Sequence, residues 1–152
     1  MFTQPKRANG YSLKLIFSFL LFVSAISCRV SLVPAYSEAL EAQIINASKM
    51  TNMLYLEIMD APDEKKNYAL YADKYLQIET EINSILLQNE ARSNSEDIVA
   101  SVQKLRDAFV KAKEDHKKRN TLSNAELLVY NEQSKAFWKP VLIEERALSN
   151  AK

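Results

Sequence analysis

Glycine is almost missing from this chain of 152 residues: the one example is Gly10. A glycine loop that cradles phosphate, as in P-loop and dinucleotide-binding folds, is therefore excluded, and so is the easy turn of a tight β-hairpin. Cysteine and histidine are equally scarce, with Cys28 and His116 standing alone. A Ser-His-acid or Cys-His nucleophilic set would have to recruit His116, and Cys28 lies far from it in sequence. Di-metal carboxylate bundles need Glu-x-x-His pairs on two helices and covalent haem needs C-x-x-C-H, and the chain has neither. What it has instead is alanine, leucine, glutamate, lysine and glutamine in stretches without internal turn residues, which favours helices. The expected fold class is all-α, with no cofactor and no enzymatic activity.

The first residues follow a different plan. Lys6, Arg7 and Lys14 form a basic head, residues 15–23 an apolar run, and Ser24, Ala25 and Ser27 a small-residue exit. That is the layout of a secretory signal peptide, here residues 1–27. Bounded by Lys14 and Arg29, the run falls short of the roughly 20 apolar residues that a membrane-spanning helix needs. The tetrad Ala25-Ile26-Ser27-Cys28 resembles the lipobox of bacterial lipoproteins, in which a small residue precedes a cysteine that is acylated and becomes the mature N-terminus. It departs from the usual pattern, which has leucine where Ala25 stands and a small residue where Ile26 stands. The resemblance implies lipidation of Cys28 and a bacterial envelope protein held on a membrane, facing the periplasm or the cell surface. It would also explain an odd cysteine in an oxidising compartment. Several acyl chains are then required, because at about 0.8 kcal/mol per buried methylene a single chain anchors only marginally. Cleavage after Ala25 is the alternative, giving a soluble secreted or periplasmic protein.

Residues 28–36 read as a tether, with Ser31 and Pro34 set against helix, and residues 37–152 as one domain long enough to bury a core. Within it, Leu40, Ile44, Ala47, Thr51, Leu54 and Ile58 alternate steps of four and three, the stripe of a helix starting near Ser37. Tyr68, Tyr71, Tyr75, Ile78, Ile82 and Ile85 repeat the pattern, as do Ile98, Val102, Leu105, Phe109, Ala112 and His116. A less regular fourth stripe takes Leu127, Tyr130, Ser134, Phe137, Val141 and Leu148, with Pro140 absorbed as a kink. Such stripes pack at shallow angles, so the expected architecture is an antiparallel four-helix bundle. Ser93 with Glu96, and Ser123 with Glu126, read as capping boxes, and Lys117, Lys118 and Arg119 complement the dipole of the third helix. Asp60-Ala61-Pro62-Asp63 reads as a turn; the alternative is three helices, the first long and kinked at Pro62.

The candidate functional groups are few. His116, behind Glu114 and Asp115, is a weak metal candidate and more often a residue of this kind caps a helix end. The pairs Glu114-Asp115 and Glu144-Glu145 read as solvated surface, since adjacent helical residues do not face one another. Trp138 and Tyr55 lie beside their stripes and, with Phe137, make the expected exposed patch for a protein partner. The lysines and arginines from Lys104 to Arg119 alternate with acids, and from Val30 onward 16 basic residues face 19 acidic ones, so nucleic acid is not an expected partner. Lipid headgroups are the better alternative for that face. The expected function is a non-enzymatic, lipid-anchored bundle of the envelope that binds another protein, with a small-ligand or metal-binding bundle as the alternative reading.

Overall fold

The computed structural model describes residues 33–150, so the signal peptide, Cys28 and the first part of the tether lie outside the described residues. Four α-helices follow one another: α1 (Glu38–Asp60), α2 (Ala72–Glu90), α3 (Glu96–Arg119) and α4 (Asn124–Ser149). Each packs on the next, and α4 also packs on α1, which closes the ring of an antiparallel four-helix bundle. Among the described residues there is no strand, and no helix is long and apolar enough to cross a membrane.

The stripes account for the core. In α1 and α3 every striped residue is buried, and Tyr55 joins them. In α2 the buried row runs from Tyr75 through Ile78, Ile82 and Ile85 to Asn89. Tyr68 and Tyr71 precede the helix and are half-buried against the same core. The fourth stripe is corrected: the buried row is Leu127, Asn131, Trp138, Val141, Glu145 and Leu148, and Tyr130 and Phe137 flank it, half-buried. This row keeps the strict four-three rhythm, with half-buried Ser134 filling the remaining step.

The helix ends have local causes. The Ser37 hydroxyl accepts from the Leu40 N–H at 3.2 Å and starts α1. Between α1 and α2 the chain turns rather than kinks: Ala61 and Pro62 are extended, and two 3₁₀ turns follow at Asp63–Lys65 and Tyr68–Leu70. At the start of α4 the capping box of Ser123 and Glu126 is complete. The Glu126 carboxyl is held down to about 2 by Arg119 first and by the Ser123 backbone and hydroxyl next. The box expected at Ser93 does not form. The N-cap of α3 is Ser95, whose hydroxyl instead donates to the carbonyls of Asn89 at 2.5 Å and Arg92 at 2.8 Å.

Two asparagines stand where glycine would be the default. Asn94 and Asn120 both take φ of 59°, the left-handed region, and Asn120 ends α3. Asparagine tolerates this conformation better than other non-glycine residues. Asn120→Gly is expected to stabilise the domain by about 0.5–1 kcal/mol and Asn120→Ala to destabilise it by a similar amount, read from urea unfolding midpoints.

Candidate functional site

Polar side chains enter the core at both ends of the bundle. At the end where α1 begins, Glu145 of α4 is 0% exposed. Arg92, between α2 and α3, donates through Nη1 to Glu145 Oε2 at 2.6 Å and to Asn89 Oδ1 at 2.9 Å. The Ser37 N–H donates to Glu145 Oε1 at 2.9 Å, and Arg92 Nη2 reaches the Ala35 carbonyl. The segment that enters the domain, the α2–α3 connection and α4 are thereby tied by one buried ion pair. The reading of Glu145 as solvated surface is corrected: it sits on the inward row of α4. Its neighbour Glu144 is half-buried, accepts from the Ser101 hydroxyl at 3.0 Å, and has its carboxyl raised by burial, with Ser101 opposing.

At the opposite end His116 is also 0% exposed. Its Nε2 lies 2.8 Å from the Lys66 carbonyl, which can only accept, so Nε2 carries the proton. Nδ1 then accepts from the Tyr75 hydroxyl at 3.1 Å. The ring packs edge-on against Tyr68 and Tyr75, with centroids 5.7 Å away in both cases. Burial lowers its pKa, the Lys66 hydrogen bond opposes, and Arg119 adds a little to the lowering. Both ring nitrogens are thus committed to holding the α1–α2 connection onto α2 and α3. Among the described residues no group of three histidine, cysteine, aspartate or glutamate side chains converges on a metal site. Asp115, beside it, accepts from Lys111 and from the Tyr130 hydroxyl, at 2.8 and 2.7 Å.

The expected patch of Tyr55, Phe137 and Trp138 divides. Tyr55 is buried, corrected from exposed, and lies with half-buried Phe137 and Tyr130 under the α3–α4 side, its ring stacked on Tyr130 at 6.4 Å. Trp138 is also corrected: it is only 4% exposed and faces the other side of α4, against α1. It forms the floor of an open groove of about 490 Å³ between these helices, together with Ile44, Leu142 and Ile143. Ile143 is 54% exposed at its edge. The rim carries Lys49 on α1 and Lys135, Lys139 and Arg146 on α4, and no carboxylate lines the groove. Lys135 pairs with Glu132 and Arg146 with Glu41, each outside the lining, whereas Lys49 and Lys139 have no ion-pair partner among the described residues. A wider concavity at the His116 end is polar and carries both signs of charge, with Asp63, Glu64 and Lys66.

An apolar floor under a cationic rim is the arrangement of a site for an anion with an apolar body. Sequence reasoning singled out Trp138, and placed Ile44 and Ser134 on stripes, without bringing these residues together. Lys135, Lys139, Leu142 and Arg146 succeed one another along α4 at steps of four, three and four, with Trp138 inside that run, the one local signal available. No family model matches the chain, and neither a curated protein nor a solved structure matches it.

Proposed function

We propose that this protein is exported, anchored to a bacterial envelope membrane through acyl chains on Cys28, and acts there by binding rather than by catalysis, with the α1–α4 groove as its binding surface. The observation that carries the anchor is Cys28 itself, set directly behind Ser27 at the end of the leader. The structure adds support on the bundle side. Ala35 and Ser37 are fastened to the Arg92–Glu145 pair, so the described part of the tether leaves from a fixed end of the domain. Five residues separate Cys28 from Pro34, and a lipid there would hold that end within about 20 Å of the membrane. Binding is supported by the size of the groove, which lies within the roughly 300–1,000 Å³ of small-molecule sites, while both His116 nitrogens are committed to structure.

Metabolic labelling of cells with a palmitate analogue tests the anchor. Wild-type protein takes up label and sediments with membranes; Cys28→Ala is unlabelled and soluble. Unlabelled, soluble wild type would return the protein to the secreted or periplasmic class.

A further inference from the structure

We infer that the α1–α4 groove takes a single-chain amphiphile with an anionic head, such as a fatty acid. This rests on the groove being the binding surface, as proposed above, and not on acylation of Cys28. Charge comes first. Four cations border the groove, no carboxylate lines it, and two of the cations, Lys49 and Lys139, lack ion-pair partners among the described residues. An anion entering it meets unsatisfied positive charge on both walls.

Width and length come next. Trp138 and Leu142 stand one turn apart in a single row along α4, with Ile44 opposite on α1 and Ile143 at the edge, so the apolar floor is a short strip between two cationic walls. From Ser134 to Arg146 the row extends roughly 18 Å at about 1.5 Å per residue, of which the apolar part, Trp138 to Ile143, takes about 8 Å, enough to seat part of an acyl chain. A protein partner fits less well. Stable protein interfaces engage about 20–30 residues a side, about two to three times the 11 that line this groove, and Ile143 is its one well-exposed large apolar side chain.

Trp138 is the chain's single tryptophan, so its emission reports on the groove alone. The full chain carrying Cys28→Ala, which has no acyl group of its own to compete, is titrated with oleate below its micelle concentration, with uncharged monoolein, and with an acidic amphipathic peptide. Oleate is expected to give a saturable change in Trp138 emission, with monoolein at least about tenfold weaker. Lys49→Glu with Lys139→Glu, two exposed changes, is expected to weaken oleate by about tenfold or more while leaving helical circular dichroism unchanged. Unmoved emission with oleate, or equal response to monoolein, overturns the proposal. A response to the peptide but not to oleate also overturns it, and assigns the groove to a protein partner, leaving the binding reading intact. If none of the three moves Trp138, both the amphiphile and the groove as a binding surface fall.

Discussion

Replacing Glu145 by alanine is expected to lower the free energy of unfolding by about 3–5 kcal/mol, because Arg92 is then left largely buried without its counter-charge. The Ser37 N–H loses its acceptor in the same step, and the entry to α1 loses its fastening. A buried ion pair is nonetheless weak as a source of stability, since taking both charges out of water costs several kcal/mol each. The double change Arg92→Leu with Glu145→Leu is therefore expected to recover most of the loss. Urea unfolding of the single and double variants measures both, with the slope of the transition held constant. If Glu145→Ala costs less than about 1 kcal/mol, the pair is not buried in solution as the geometry requires.

The second large effect lies at the other end. His116→Ala is expected to cost about 2–4 kcal/mol, since it empties a fully buried site and strands the Tyr75 hydroxyl and the Lys66 carbonyl without partners. Tyr75→Phe is milder, at about 1 kcal/mol, because it removes one hydrogen bond and keeps the ring in place. The same histidine gives the domain a pH dependence. Burial makes the folded pKa lower than the ordinary value of 6.5, so the unfolded chain binds the proton more readily. The contribution of neutral His116 is complete above that ordinary value and is lost as pH falls below it toward the lowered folded value. Unfolding free energies taken from pH 7.5 down to 5 should decline in wild type and decline less in His116→Gln. Parallel curves for the two would assign the pH dependence to other groups.

How much of this was legible in the sequence depends on which residues occupy the inward rows. In α1 and α3 the rows are apolar with one polar interruption each, Thr51 and His116, so periodicity alone finds them. In α4 two inward positions carry Asn131 and Glu145, while the flanking positions carry the aromatic rings of Tyr130 and Phe137. Hydrophobicity then points to the flanking positions, and spacing does not decide, because Leu127, Tyr130, Ser134, Phe137 and Val141 step by three and four as well. Asn89 was missed for the same reason. The turn at Pro62 was readable because a proline behind Ala61 disfavours helix there. Ser93, three residues ahead of Glu96, offers the better local cap, yet the helix starts behind Ser95, whose hydroxyl is held by the Asn89 and Arg92 carbonyls, contacts that the capping pattern does not encode. The groove escapes sequence reading more completely. Its walls come from α1 and α4, which lie at opposite ends of the domain's sequence.

The hydrogen bond from Ser37 to Glu145 joins residues 108 positions apart. Closing so long a loop costs chain entropy that local helix formation cannot offset, so this contact belongs to the end of folding rather than to its start. Neighbouring helices can dock in order, α1 on α2 and α2 on α3, but Arg92 has no Glu145 carboxylate to receive it until α4 docks. The bundle therefore cannot lock until α4 is present almost to its end. Truncation just ahead of Glu145 removes few residues and would still leave the ring unfastened.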